Sequence, residues 1–389
     1  MSYNFDAIID RRDTQCEKWR HFDPDVLPLW VADMDFRSPE PVIQALRERV
    51  EHGVFGYGCD PEELRSVIVD RLRTRYDWRI APEAIVFLPG VVPGFNMACR
   101  TFAAPGDAVL VQPPGYPPIM KAHVQAGLTN VAAPLTHCAD GSYAYDGDVF
   151  EQAITARTRI FLLCNPHNPV GKVFRRDELL SMAECCLRHN VVICSDEIHC
   201  DIVYRGYQHI PIASLAPEIE QRTITLMAPS KTFNIAGLKL AFAVIPNPEL
   251  RTAFCAMQRP IASGANILAE VAALAAYRDS QAWLDEALVY LEASRDYVYD
   301  YIRQNMPALS PNKPEATYLS WIDCRQAGLT GTPCEFFIAR ARVALNDGAS
   351  FGPGGAGFVR LNFGCPRSTL TEALDKMRRA LPPLQVEYE

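Results

Sequence analysis

Three clusters of polar residues, each directly after a predicted strand, contain residue types that could do chemistry. They include Asn168, Asp196 and Lys231, which follow three successive apolar runs between residues 159 and 227. Each residue alone has an ordinary structural explanation, because Asn-Pro pairs form turns, aspartates cap helices and most lysines are solvated. In an open parallel sheet, however, ligands bind outside the carboxyl ends of the strands. The amide, the carboxylate and the amine are therefore expected at one edge of a sheet.

An amine, a carboxylate and an amide together meet the requirements of pyridoxal phosphate. A partly desolvated lysine can form a Schiff base with this cofactor, and a carboxylate can keep the pyridine nitrogen protonated, so that the ring accepts electrons. Residues 90–94 (Gly-Val-Val-Pro-Gly) form a glycine-bearing turn that opens a helix, where a phosphate could bind. Lys239 could add a positive charge to that phosphate, and Tyr116 could stack on the ring. By position alone, a packed core tyrosine explains Tyr116 equally well.

The elements that would position these residues alternate between strands and helices. Short apolar runs, several of them separated by helix-compatible segments, are predicted to be buried strands at 85–88, 108–112, 159–163, 191–195, 223–227 and 240–245. This alternation is typical of an α/β domain whose mostly parallel central sheet is covered by helices. A helical stretch at 266–305 then leads into a smaller α+β domain, with strand-like pieces at 318–323, 340–345 and 358–363 and a final helix at 368–381.

These patterns predict two domains. We place the large, cofactor-binding domain at residues 49–285 and the small C-terminal domain at residues 286–389. The first 48 residues are too few to form a domain of their own, and we expect them to pack on the small domain as an N-terminal segment.

The composition excludes several classes of protein. The 389 residues are 49% hydrophobic and 22% charged, which disfavours disordered and collagen-like chains. The formal net charge of −8 and the lack of a basic run do not fit a nucleic-acid binder. No apolar stretch approaches the roughly 20 residues that span a bilayer. Thirteen cysteines without a C-x-x-C pair or a signal peptide predict reduced thiols, no metal site and a cytoplasmic location.

Four motifs around the candidate residues resemble those of class I/II aminotransferases, which are fold-type I pyridoxal-phosphate enzymes. The motifs lie at residues 165–171, 195–199, 230–237 and 359–367. Within that superfamily the chain most resembles the MalY/PatB-type carbon-sulfur lyases, usually called cystathionine β-lyases. The segments that carry this closer resemblance are 30–36, 53–57, 89–94 and the Asp-Glu-Ile-His sequence at 196–199. The resemblance covers nearly the whole chain.

The resemblance implies a role for each matched residue. Lys231 would form the Schiff base and act as a base, Asp196 would pair with the pyridine nitrogen, and Asn168 would bind the phenolic oxygen. Arg360 would hold the substrate carboxylate, because a planar guanidinium binds a carboxylate through two hydrogen bonds. Tyr116 would stack on the ring as a third catalytic residue, and His199 would lie near the cofactor. The implied phosphate-binding residues are Val91, Val92, Ser230, Lys239 and, from the partner subunit, Tyr57. The implied substrate-binding residues besides Arg360 are Asn168, Tyr57 and Asp33.

Two positions depart from the pattern of the superfamily. Many members have a serine three residues before the lysine, where this chain has Ala228, and aminotransferases commonly have a tyrosine at the position of His199. The second difference leaves open which residue, besides Asn168, would contact the phenolic oxygen.

The function implied is α,β-elimination of L-cystathionine or related S-substituted cysteines, which gives a thiol (homocysteine from cystathionine), pyruvate and ammonia. The enzyme would be a homodimer with shared active sites, and we expect no nucleic-acid or membrane partner. An aminotransferase would use nearly the same site residues, so only the closer resemblance favours the lyase. A lyase with an additional regulatory, protein-binding role is a further alternative.

Overall fold

The structure, a computed structural model, describes residues 3–262 and 264–382. Within those residues the strands are β1 (Leu27–Pro28), β2 (Ile85–Leu88), β3 (Ala108–Val111), β4 (Thr129–Ala132), β5 (Thr136–His137), β6 (Tyr143–Ala144), β7 (Thr158–Cys164), β8 (Val192–Asp196), β9 (Thr223–Met227), β10 (Ala241–Val244), β11 (Ser310–Pro311), β12 (Leu319–Asp323), β13 (Val343–Ala344), β14 (Asn346–Asp347) and β15 (Phe358–Asn362).

The α-helices of the same residues are α1 (Glu17–Arg20), α2 (Glu40–Glu51), α3 (Glu62–Tyr76), α4 (Val91–Phe102), α5 (Pro117–Met120), α6 (Ala122–Ala126), α7 (Gly147–Ala153), α8 (Arg176–Arg188), α9 (Pro217–Glu220), α10 (Pro229–Thr232), α11 (Pro248–Gln258), α12 (Ile267–Asp279), α13 (Gln281–Asn305), α14 (Pro333–Phe336) and α15 (Arg367–Ala380). None of the helices that the structure describes is long and apolar enough to cross a membrane.

A seven-stranded sheet forms the centre of the large domain, in the order β2-β10-β9-β8-β7-β3-β4. β10 is antiparallel to both neighbours, and the other adjacent strands run parallel. This mostly parallel sheet confirms the predicted α/β fold class. The predicted strands correspond to six of the seven, and the sequence analysis missed β4. That edge strand is largely exposed and so has no continuous apolar run.

Helices cover both faces of this sheet. Alternate residues of a strand point to opposite faces. On β7, Ile160 and Leu162 pack in the same cluster as Phe95 of α4, whereas Phe161 and Leu163 pack in the same cluster as Leu179 of α8. Since both faces are buried, the strands are apolar throughout, and this is the pattern that made them recognisable in the sequence.

The small domain contains a four-stranded sheet in the order β11-β12-β15-β14, with antiparallel neighbours. Of the strand-like piece at 340–345, only β13 is a strand. A helical turn at Phe337–Ala341 continues from α14 and covers the first two residues of the piece. The boundary that we propose after residue 285 falls within α13, the long helix that runs from the large domain into the small one.

The N-terminal segment contacts both domains. β1 pairs in parallel with β13, which places this part of the segment on the small domain. α2, further along the segment, packs against α12 of the large domain. The segment therefore runs along the junction between the two domains.

A buried cluster of charges fixes this segment in place. Lys18 is only 1% exposed, and its Nζ lies 2.8 Å from Asp35 Oδ2 and 3.5 Å from Asp33 Oδ1. Asp35 also accepts hydrogen bonds from Arg11 and from the Trp19 indole, at 2.6 and 2.8 Å. Burial raises the pKa of Asp35, but Lys18, Trp19 and Arg11 together outweigh burial and hold that pKa below its ordinary value.

We expect Lys18→Met to lower the free energy of unfolding by about 3 kcal/mol, because the substitution leaves the buried Asp35 carboxylate with weaker compensation. Urea unfolding of the two proteins measures the difference. Lys376→Met, which removes an exposed ion pair with Glu372, is the matched control and should change stability by about 0.5 kcal/mol or less. Equal effects of the two substitutions would contradict a special contribution from the buried cluster.

Candidate active site

A cavity of about 450 Å³ lies where residues at the carboxyl ends of β7, β8 and β9 meet residues of the small domain. Ten residues that the sequence analysis singled out line it: Val91, Val92, Tyr116, Asn168, Asp196, His199, Ser230, Lys231, Lys239 and Arg360. Two others lie outside this lining. Asp33 lines a neighbouring cavity, and Tyr57 lines a separate cavity on the surface.

Asp196 ends β8 as a buried carboxylate with few partners. It accepts one hydrogen bond, from the backbone N–H of Ile198 at 3.1 Å, and no cation of the described residues lies within 4.0 Å of it. Burial raises the pKa of Asp196 to about 7, against the opposing effects of the Ile198 N–H and the Lys231 charge. A buried carboxylate of this kind is stabilised by an incoming cation. The protonated nitrogen of a pyridine ring is such a cation.

Lys231 lies on α10, the short helix that follows β9. Pro229 is the first residue of this helix, where its fixed φ suits a helix start. Burial lowers the pKa of Lys231 to about 8, as does the charge of Arg360, whereas the negative charge of Asp33 raises it. A substantial fraction of this amine is therefore neutral near neutral pH, the form that acts as a nucleophile or a base.

Arg360, on β15 of the small domain, is a buried guanidinium held by neutral groups. Its Nη1 donates to Asn168 Oδ1 and its Nη2 to the Trp30 carbonyl, each at 3.0 Å, and Nη2 also donates to Asn346 Oδ1. Its Nε is buried without a hydrogen-bond partner. Burial lowers the pKa of Arg360 to about 10, so it stays charged at neutral pH. No carboxylate of the described residues pairs with it, which fits a site for a substrate carboxylate.

Backbone carbonyls of residues 30–33 accept hydrogen bonds from several of these side chains. Lys231 Nζ donates to the carbonyl of Ala32 at 2.6 Å, and the Tyr318 hydroxyl donates to the same oxygen at 2.9 Å. The Asn362 amide donates to the carbonyls on either side of Ala32, at 2.5 and 2.6 Å. The N-terminal segment thus positions the lysine from one side of the cavity.

The cavity also contains groups that stay uncharged at neutral pH. Burial lowers the pKa of His199 to about 3, helped by the positive charges of Lys231 and Arg360, so its imidazole is neutral. Burial, followed by the charge of Asp196, raises the pKa of Tyr116. Cys164, at the end of β7, lines the cavity too, and burial raises the pKa of its thiol well above the ordinary value.

The start of α4 supplies an anion site in the same cavity. The helix begins at Val91 after Gly90, and no side chain caps its first N–H groups or places an acid in its first turn. Free N–H groups and the helix dipole favour a phosphate at this position. Ser230 and Lys239 line the same cavity and are suited to bind the phosphate oxygens.

Sequence reasoning missed two side chains that shape the site, Asn346 and Tyr318. Asn346 binds Arg360, and Tyr318 binds the same carbonyl oxygen as Lys231. Neither residue belongs to a motif that points to chemistry, so no local signal could have identified them. The contact with Asn346 depends on the pairing of β14 with β15, which places it opposite Arg360.

Comparisons with known proteins agree with this geometry. The family described as aminotransferase class I and II matches residues 24–377. Cystathionine β-lyase PatB of Bacillus subtilis is 39% identical, over 97% of this chain and 100% of that protein. Among solved structures, OvoB is 45% identical with a TM-score of 0.93, covering 99% of this chain and 100% of that chain. The C-S lyase of Staphylococcus hominis, solved with pyridoxal phosphate, is 32% identical with a TM-score of 0.92, covering 99% and 100%.

These similarities confirm the predicted cofactor, pyridoxal phosphate, and the predicted resemblance to the MalY/PatB branch. The geometry of the cavity independently fits this cofactor. Among the described residues, Asp196 has no paired cation and Arg360 no paired anion, and the uncapped start of α4 and a partly neutral lysine line the same cavity. From the sequence match and the fold together, the chain belongs to the class I and II aminotransferase family, the fold-type I enzymes that use pyridoxal phosphate.

Proposed function

We propose that this protein catalyses α,β-elimination of S-substituted L-cysteines, L-cystathionine among them. In the overall reaction, the substrate and one water give a thiol, pyruvate and ammonia. The observation that carries the proposal is the partly neutral Lys231 in one cavity with two buried charges, Asp196 and Arg360, that lack counterions. Elimination is favoured over amino transfer because PatB is a cystathionine β-lyase and the similar Staphylococcus hominis protein is a C-S lyase.

Several residues of the cavity would hold the cofactor. Asp196 would bind the pyridine nitrogen and Asn168 the phenolic oxygen, while Tyr116 would lie against the ring. The first N–H groups of α4, together with Ser230 and Lys239, would bind the phosphate. When bound, pyridoxal phosphate supplies an electron sink for the bond broken at the substrate Cα.

The protein's own groups would orient the substrate and move its protons. Arg360 holds the α-carboxylate through two hydrogen bonds and so fixes the position of Cα. Lys231 Nζ, with a pKa of about 8, is neutral often enough to accept the Cα proton. The same Nζ can then give a proton to the sulfur as the Cβ–S bond breaks. His199 stays neutral and adds no competing charge.

Elimination predicts sustained turnover without a second substrate. Purified protein loaded with pyridoxal phosphate should release pyruvate and thiol from L-cystathionine for many turnovers with no keto acid added. Lys231→Ala should abolish this release, since it removes the amine that is proposed to move the Cα proton. One turnover per site, followed by an arrest that an added keto acid relieves, would instead show an aminotransferase.

Arg360→Lys tests the substrate site. The substitution replaces a planar guanidinium, which can bind a carboxylate through two hydrogen bonds, with a single ammonium group. We therefore expect kcat/KM to fall on the order of 10²-fold or more, with losses in both binding and turnover. Steady-state kinetics of pyruvate release measure the change. Arg325→Lys, on an exposed arginine of the same domain, serves as the control and should leave kcat/KM unchanged. Unchanged kinetics of Arg360→Lys would rule out Arg360 as the carboxylate site.

We also propose a homodimer in which Tyr57 completes the partner subunit's active site. Tyr57 is fully exposed and lies outside the lining of the cavity of its own chain. Its neighbours Val54 and Phe55 are 62% and 56% exposed, so one short segment presents three large apolar or aromatic side chains to solvent. Such a patch is typical of a surface that another protein covers. A closed two-fold dimer would cover it symmetrically.

Coexpression of two variants tests whether Tyr57 acts across the dimer. When Tyr57→Phe chains pair with Lys231→Ala chains, the one lysine-bearing site of the heterodimer should receive an intact Tyr57 and work at close to the wild-type rate. The matched control pairs wild-type chains with chains that carry both substitutions, and its lysine-bearing site should be as defective as Tyr57→Phe. The opposite pattern of rates would show that Tyr57 serves its own chain.

We further propose that the protein works in the cytoplasm. All thirteen of its cysteines are unpaired, which suits a reducing compartment. Cell fractionation tests this, and recovery of the protein with exported proteins would contradict it.

A further inference from the structure

A carboxylate without a partner lies at the mouth of the active-site cavity. Glu17, the first residue of α1, lines the cavity together with Trp30 and Arg360. It is exposed, whereas Asp196, Lys231 and Arg360 line the interior as buried or partly buried groups. Among the residues that the structure describes, none forms a hydrogen bond or an ion pair with the Glu17 carboxylate.

The proposed reaction assigns every other charge of this cavity. Lys239 is assigned to the phosphate, Asp196 to the pyridine nitrogen, Arg360 to the substrate carboxylate and Lys231 to the Cα proton. These four charges are needed for any amino acid that reacts on this cofactor. Glu17 is left over. It is therefore free to contact the one part of the substrate that varies, the group attached to sulfur.

Glu17 is held at this position by its neighbour. Lys18 is anchored by Asp35 at 2.8 Å, and its carbonyl accepts a hydrogen bond from the Trp30 indole at 3.2 Å. Trp30 in turn binds Arg360 through its own carbonyl at 3.0 Å. The backbone beside Glu17 is thus connected through two residues to the substrate-binding arginine, which keeps the base of this side chain at the mouth of the cavity.

A second cavity, of about 510 Å³, adjoins the first, and Glu17 and Ala236 line both. The other charges around it are already paired: Arg11 with Asp33 and Asp35, and Arg37 with Glu40. A long group on sulfur that extends from the first cavity toward the second would meet Glu17 as the charge that remains unpaired there.

From this arrangement we infer that Glu17 is a specificity residue that favours substrates whose sulfur substituent carries a cation, such as a primary ammonium group. This inference rests on the proposed elimination reaction and names the class of leaving group that the same site prefers. Attraction to an ammonium group at a partly solvated carboxylate increases affinity for cationic substituents and decreases it for anionic ones.

Three S-substituted cysteines of similar size test the inference: S-(2-aminoethyl)-L-cysteine, S-propyl-L-cysteine and S-carboxymethyl-L-cysteine. The groups attached to their sulfur atoms are cationic, neutral and anionic, respectively. For the wild-type enzyme, kcat/KM should be highest for the aminoethyl compound. Glu17→Gln keeps the shape of the side chain and should lower the ratio of kcat/KM for aminoethyl over propyl about fivefold, mainly through KM. The ratio of kcat/KM for the carboxymethyl compound over the propyl compound should rise.

Two further measurements separate electrostatics from a general disturbance. Higher salt should reduce the preference of the wild-type enzyme for the aminoethyl compound over the propyl compound, because screening weakens an ionic contact at an exposed carboxylate. Glu184→Gln, at an exposed glutamate of α8, is the matched control and should leave all ratios unchanged. If the wild-type ratios persist in Glu17→Gln while pyruvate is still released, the inference fails and the proposed elimination stands. If neither L-cystathionine nor any of the three compounds yields pyruvate over many turnovers, the proposed function itself fails.

Discussion

The cost of burying an unpaired charge is the constraint on which the rest of this structure depends. Asp196 and Arg360 are both removed from water, and each is held only by neutral or backbone groups. Two such charges destabilise a protein unless a ligand compensates them. In the proposed function, a pyridinium ring and a substrate carboxylate would supply the two opposite charges, so ligand binding would recover the free energy lost by burying them. The same burial lowers the pKa of Lys231 and prepares its amine for proton transfer.

The N-terminal segment connects this site to a second, fully compensated group of charges. Lys18 and Arg11 neutralise Asp33 and Asp35, which places four charged side chains next to the carbonyls that bind Lys231 and Asn362. The contrast between the clusters is informative. The cluster around Lys18 provides its own counterions, whereas Asp196 and Arg360 have none among the described residues.

The parts of the site that the sequence could predict are those that follow from strand ends. A buried strand in a parallel sheet is apolar throughout, so polar residues directly after it stand out, and this revealed Asn168, Asp196 and Lys231. Arg360 gave no such signal. It lies inside a strand of the small domain, and only the family motif around it identified it.

Other features depend on pairings that a sequence does not display. Asn346 reaches Arg360 because β14 pairs with β15, and Tyr318 reaches the Lys231 site because the N-terminal segment lies across both domains. The edge strand β4 lacks the apolar pattern because one of its sides faces solvent. The role of Tyr57 depends on the proposed dimer, in which its surroundings would belong to another chain.

The low reactivity of Cys164 matters for an enzyme whose proposed product is a thiol. Its sulfur lines the cavity in which each thiol would be released, and a thiolate there would attack disulfides formed by that product. Thiol–disulfide exchange requires the deprotonated sulfur. Burial raises the pKa of the Cys164 thiol well above its ordinary value, and its Sγ donates to the Pro166 carbonyl, so this sulfur resists exchange with disulfides of the released thiol.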